Sequence, residues 1–247
     1  MHVLAVGGGH IEQHGAITRF VIPPTTQRAY ADAQWDDYHG LRRSNFPHRP
    51  PLRLSLRARF SHEAEGIGGT AGFGFWNDPF TLSGGGILAS PNVLWFFAGS
   101  PPNDHYLCEG VPGRGWKAAS LNTGRWPPVL VAPAALPAIL LTRVPGLGRP
   151  IMKLARRLIK AHERLLDVKM AGWHSYELAW EAGEAVFRVD AAEALRVRSP
   201  APPAPPLGFI MWIDNQYAVA SEAGDFRFGL IAHSEERWME IESLSIQ

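Results

Sequence analysis

Residues 52–60 read LRLSLRARF, in which Leu52, Leu54, Leu56 and Ala58 alternate with Arg53, Ser55, Arg57 and Arg59. Successive side chains of a β-strand point to opposite faces, so this run predicts a half-buried strand with a solvated basic face. Strand-like runs recur at 16–22, 70–76, 94–98, 175–180, 185–189, 195–198, 208–213, 226–231 and 238–246. Turn residues separate them. The chain of 247 residues holds 25 Gly and 21 Pro, about a fifth of its length, against roughly one-eighth in average usage. Short strands, many turns, nine Trp and twelve Phe together predict an all-β fold. All-β sandwiches commonly use such a length as one unit. No internal repeat is visible, and residues 1–247 are expected to form a single domain.

Charge and cysteine content exclude several classes. Lys and Arg number 24 against 23 Asp and Glu, so the basic footprint of a nucleic-acid binder is missing. Hydrophobic residues make up 46%, too many for a disordered chain. Cys108 is the single cysteine, so neither an intramolecular disulfide nor a CxxC zinc pair is available. The opening MHVLAVGGGHIEQHG lacks a basic n-region and a long apolar core. The richest apolar stretch, 129–144, is broken by Pro133, Pro137 and Arg143. A cytoplasmic location is expected. No P-loop, GxSxG elbow or Rossmann fingerprint occurs, and no organic cofactor is expected. His10, Glu12 and His14 share one face of an extended segment. HIEQH is not HExxH, however, and no metal is expected.

One segment departs from the β pattern. After Pro150, Ile151, Leu154, Ala155, Leu158, Ile159, Leu165 and Leu166 recur on a helical period among Lys153, Arg156, Arg157, Lys160 and Arg164. Proline at the first helical position is a favoured start. The pattern predicts a basic amphipathic helix over 150–170, within an insertion spanning about 127–170. Its basic face is either a wet surface or a weak membrane-surface contact.

The stretch 173–198, WHSYELAWEAGEAVFRVDAAEALRVR, carries an aromatic-His-x-Tyr pattern, a strand ending in Trp180, and Phe187, Val189 and Asp190 in "x-Phe-x-Val-Asp". It resembles the strand–turn–hairpin of laminarinase-like glycoside hydrolases of family sixteen, within the wider concanavalin A-like lectin/glucanase superfamily. Ala191 stands where that pattern has Gly. PPLGFIMWIDNQ (205–216) and the closing WMEIESLSI resemble two further strands of the superfamily. The resemblance implies a two-sheet jelly-roll sandwich with a ligand cleft on its concave face. It also implies a Glu-x-Asp-x-(x)-Glu run on one strand, and this chain has none. Glu63 and Glu65 of HEAEG are two apart but sit in a Gly-flanked turn context.

Alternation locates candidate site residues. In 72–78, Phe73 and Phe75 point one way and Gly72, Gly74, Trp76 and Asp78 the other. In 208–215, Phe209, Met211 and Ile213 oppose Ile210, Trp212 and Asp214. Glycine inside a strand marks close approach of a ligand or of another backbone. Trp76, Asn77 and Asp78 thus match Trp212, Asp214 and Asn215, and Trp95 with Phe97 adds a third aromatic pair. Trp116 and Trp126 fall in Gly/Pro-rich loops that could wall a cleft. The Asp and Asn residues are either turn caps or site groups.

AQWDDYHG places Asp36 and Asp37 beside His39, and His174 opens the strand of the resembled motif. Asp36, Asp37, Asp78, His174 and Asp214 are the acid–base candidates. Trp76, Asn77, Trp95, Phe97, Trp212 and Asn215 are the ligand-binding candidates. A small molecule or glycan is the expected partner, handled without family-type hydrolysis. An enzyme with its own Asp/His site, or a hydrolase with a displaced carboxylate pair, are the alternatives.

Overall fold

The computed structural model describes residues 1–81, 89–124, 146–199, 203 and 205–247. Its strands form two seven-stranded antiparallel sheets. The front sheet runs β1 (His2–Val6), β4 (Asp32–Asp36), β14 (Gly208–Asp214), β6 (Thr70–Trp76), β7 (Asn92–Gly99), β9 (Gly115–Asn122) and β10 (Lys160–Leu165). The back sheet runs β13 (Ala192–Arg198), β12 (Glu184–Val189), β11 (His174–Glu181), β5 (Leu52–Phe60), β17 (Arg237–Ile246), β3 (Ile17–Ile22) and β2 (His10–His14). A small third sheet joins β8 (Asp104–His105), β15 (Gln216–Ala220) and β16 (Phe226–Leu230). This is a two-sheet jelly-roll sandwich, the architecture that the resemblance implies.

The alternating strands build the core. Leu52, Leu54, Leu56, Ala58 and Phe60 of β5 meet Phe73 and Phe75 of β6, Leu94 and Phe96 of β7, and Phe209 and Met211 of β14. Aromatic rings bridge the sheets: Tyr176 lies 5.2 Å from Phe73 and 5.1 Å from Phe96, and Phe187 lies 5.3 Å from Phe96. Burying such side chains stabilises by roughly 1.5–3 kcal/mol each. Trp116, expected in a loop, stands on β9 in this core, 5.2 Å from Phe60 and 5.6 Å from Tyr176. Trp126 lies outside the described residues.

The helix is shorter than its periodicity predicts. α1 covers Gly148–Leu158, and Ile159 is already extended. Residues 160–165 instead form β10, pairing from Lys160↔Asn122 to Leu165↔Lys117 along the edge of β9. Pairing satisfies the outer edge of β9 and the inward-facing backbone groups of β10, and it delivers Glu163 against Lys117 at 3.0 Å. No helix among the described residues is long and apolar enough to cross a membrane.

Candidate functional site

The outer faces of the two sheets differ in chemistry. On the back sheet, two of the three arginines on the outer face of β5, Arg57 and Arg59, are paired with carboxylates of β17. Arg59 Nε donates to Glu240 at 2.5 Å, Arg19 Nη2 lies 2.7 Å from the same carboxylate, and Arg57 pairs with Glu242. Arg19 and Arg59 also lie over the Trp238 ring at 4.6 and 5.6 Å. On the front sheet, the outer face is aromatic in the middle and acidic toward the β1 edge.

Strand register sets that arrangement. Reading across the ladders, Leu4, Gln34, Trp212, Gly72, Phe97 and Lys117 form one row. His2, Asp36, Ile210, Gly74, Trp95, Ala119 and Glu163 form the next. Trp95 lies 5.3 Å from Trp212, 5.4 Å from Phe97 and 6.2 Å from Trp76. Trp76, Trp212 and Phe97 are buried, whereas Trp95 is part-exposed. The two glycines explain how four large rings fit side by side. A Cβ on Gly72 would stand 3.0 Å from the Trp212 ring and 2.2 Å from Phe96 O, and one on Gly74 would stand 2.7 Å from Trp95 Cβ. The space they leave is filled by neighbouring tryptophans and backbone.

Asp214 ends its strand on this face. Its Oδ1 accepts from Thr70 Oγ1 at 2.8 Å, Thr70 N–H at 3.2 Å and Gln216 N–H at 3.0 Å. Trp212 Nε1 donates to the same Thr70 hydroxyl at 2.9 Å, so ring and carboxyl are held by one side chain. Burial pushes Asp214 up to about 6, against the pull of these donors.

Directly opposite stands Asp32, which the sequence reading passed over. It is 2% exposed, and its Oδ2 has no hydrogen-bond partner among the described residues. Burial first, and then the Asp214 charge, holds Asp32 well above the ordinary carboxylate range. Asp32, Gln34 and Asp36 form a buried polar ladder on the outer side of β4, while Ala33 and Trp35 face the core. The signal was present as the period-2 string DAQWD.

Toward the opposite edge, Lys117 Nζ donates to Glu163 and to Pro112 O, both at 3.0 Å. Burial, and then the Lys117 charge, lowers His105 to about 4. That imidazole lies 5.4 Å from Phe97 and is neutral at neutral pH. Beside α1, a cavity of about 500 Å³ is lined by Tyr106, Cys108, Lys153, Arg156, Arg157 and Glu222, among others. Burial pushes the Cys108 thiol up to about 11, which makes it a poor nucleophile.

The other sequence-predicted residues are placed as follows. Asp36 is buried and accepts from Gln34 Nε2 at 3.0 Å and from the His39 N–H at 2.9 Å. Asp37 points away from it, lying 2.5 Å from His48 Nε2 and accepting the Phe209 N–H at 2.9 Å. Asp78 is buried just beyond β6 at φ 43°, where its carbonyl accepts from Arg43 Nη2 at 2.6 Å. Asn77 bonds to Ser90 O and the Asn92 N–H, each at 2.9 Å, joining the ends of β6 and β7. Asn215 is fully buried, with its amide donating to Ala29 O and Ile231 O and accepting from the Ala31 N–H. His174 belongs to the back sheet, where its ring lies 2.6 Å from Asp190 and 3.0 Å from Lys169 O. The front face therefore gathers Trp76, Trp95, Phe97, Trp212, Asp214 and Asp36, and not His174, Asp37, Asn77 or Asn215.

No family model matches the chain, and a search of curated proteins finds no match. Among solved structures, the chain is similar to an endo-β-1,4-glucuronan lyase from the fungus Trichoderma reesei. That alignment has 12% identity and a TM-score of 0.46, over 99% of this chain and 86% of the lyase. It is also similar to a β-glucanase from Bacillus licheniformis, at 8% identity and a TM-score of 0.45, over 95% and 80% of the two chains. An endo-β-galactosidase from Clostridium perfringens that releases GlcNAcα1-4Gal aligns at 11% identity and a TM-score of 0.48, over 94% and 53%.

Proposed function

We propose that the outer face of the front sheet binds a neutral, ring-bearing, polyhydroxylated ligand of glycan type. The observation that supports this reading is Trp95, a part-exposed indole set among the buried rings of Trp76, Trp212 and Phe97. A flat ring held rigidly by its neighbours offers an apolar platform to the C–H face of a sugar. Asp214 and Asp32 lie two and three strands away, about 10–15 Å at the usual strand spacing, buried beneath the same face. Asp214, ionised above about pH 6, disfavours a second carboxylate on this face and so favours neutral ligands over uronates.

Titration of the whole chain with β-1,3- and β-1,4-linked gluco-oligosaccharides and with uronate oligomers, followed by tryptophan fluorescence and calorimetry, tests the reading. Neutral oligomers are expected to bind and Trp95→Ala to abolish binding. Binding by wild type and by Trp95→Ala with equal affinity, or by no neutral oligomer, overturns it.

The Asp32–Asp214 pair favours a second reading, acid–base chemistry on the bound ligand. Two carboxyls with raised pKa values on one face supply an acid and a base near neutral pH. Product release from the same oligomers, with a limb near the Asp214 value of about 6 that Asp214→Asn removes, is the expected result. Absence of product from every oligomer rejects it.

A further inference from the structure

At the β1 edge of the front sheet, away from the aromatic rings, His2, Asp36 and His39 converge. One donor atom from each lies within 4.8 Å of the other two. The residues come from separate places, since His2 opens β1, Asp36 closes β4, and His39 lies three residues on in the turn. The β1–β4 ladder sets His2 directly opposite Asp36. The turn then folds His39 back, so that its backbone N–H donates to Asp36 Oδ1 and its ring stacks on His2 at 3.6 Å and 8°.

Two observations describe a site rather than a chance cluster. His2 Nδ1 is buried and has no hydrogen-bond partner among the described residues, although Asp36 Oδ2 lies 3.5 Å away. A buried ring nitrogen without a partner is costly unless something occupies it. The carboxylate is fixed from behind, because Gln34 Nε2 donates to Asp36 Oδ2 at 3.0 Å while the His39 N–H holds Oδ1. Such outer contacts orient metal-binding carboxylates. The two imidazoles lie in face-to-face contact beside this carboxylate, so His39 must turn out of the stack to aim its in-plane lone pair at an ion shared with His2.

We propose that His2, Asp36 and His39 bind one divalent transition-metal ion of the zinc type. Two imidazoles and one carboxylate suit zinc, cobalt or nickel, whereas calcium and magnesium prefer all-oxygen sites. A tetrahedral ion with bonds near 2.1 Å needs donors about 3.4 Å apart. Rotation of the exposed His39 side chain closes the remaining gap. Three protein donors leave the fourth position open to solvent. The site uses neither Trp95 nor the Asp32–Asp214 pair, so it stands or falls separately from ligand binding at the aromatic rings.

The experiment uses the whole chain without a histidine tag, stripped with a chelator and then titrated with zinc chloride by calorimetry and with cobalt chloride by visible absorption. One equivalent per chain and a cobalt d–d spectrum are expected. His2→Gln and His39→Gln change exposed or half-exposed side chains and should keep the fold, as circular dichroism checks. Each should weaken zinc binding by about 100-fold, and Gln34→Leu by about 10-fold. The double substitution His10→Gln/His14→Gln on β2 should leave it unchanged. Absence of stoichiometric binding overturns the proposal, as does binding that survives both His2→Gln and His39→Gln.

Discussion

Asp32 faces Asp214 directly across the β4–β14 ladder, and both carboxyls are buried on the outer side of the front sheet. Burial raises both folded-state pKa values above those of the unfolded chain, Asp214 to about 6. The folded protein therefore holds protons that the unfolded chain has already released. The contribution of Asp214 to stability is complete below about pH 4 and is lost as pH rises through about 6. For Asp214 alone the span is at most about 3 kcal/mol. Asp214→Asn keeps the Oδ1 acceptor and removes the ionisation, so its stability relative to wild type should improve from pH 4 to pH 8. Urea unfolding across that range measures the trend. A difference that stays level shows that Asp214 ionises normally in the fold.

Trp95 and Trp212 touch at 5.3 Å yet should respond differently to truncation. Trp212 is 7% exposed and donates to Thr70, so Trp212→Ala should cost about 3–5 kcal/mol. Trp95 keeps part of its ring in solvent, and Trp95→Ala should cost clearly less while removing ligand affinity. Equal losses of stability in the two variants would show that Trp95 serves packing alone.

Gly74 combines φ +152° with a position where a Cβ would stand 2.5 Å from Trp95 Cα and 2.3 Å from Leu94 O. The obstacle is backbone of the neighbouring strand, which cannot rotate aside. Gly74→Ala should therefore destabilise by more than about 2 kcal/mol, unlike a typical exposed glycine. Thermal unfolding decides it, and a variant as stable as wild type would mean that β6 and β7 separate freely.

Alternation made much of the sandwich legible. Phe73, Phe75, Phe209 and Met211 go to the core and Trp76 and Trp212 to the other side because a strand leaves no third choice. β4 was not legible for the same reason that makes it interesting. Its outer residues are Asp32, Gln34 and Asp36, which as a string read like a turn, and only their burial beside β14 and β1 reveals a strand. The sequence of β10 reads as helix because Ile159 and Leu165 fit a helical period, while the partner that makes 160–165 a strand, β9, lies some forty residues earlier. Gly72 and Gly74 stand against the Trp212 ring, Trp95 and the β7 backbone, since interior glycines admit a neighbouring ring or strand as readily as a ligand.

Lys117 and Glu163 join β9 to β10. Both side chains are almost fully buried, at 0% and 4% exposure. A buried ion pair is weak support for stability as a pair, but removing one partner strands the other. Lys117→Met should cost about 3–5 kcal/mol, while Lys117→Met/Glu163→Leu should return to within about 1 kcal/mol of wild type. Burial already raises Glu163 even with the lysine beside it, so the single variant should lose most at high pH, where the carboxyl must carry its charge. A local reporter accompanies the stability change. The Lys117 charge helps lower His105 to about 4, after the larger effect of burial. In Lys117→Met the His105 imidazole should titrate at higher pH in an NMR titration. An unmoved His105, together with a double variant no more stable than the single one, would show that the pair does not govern this edge of the sheet.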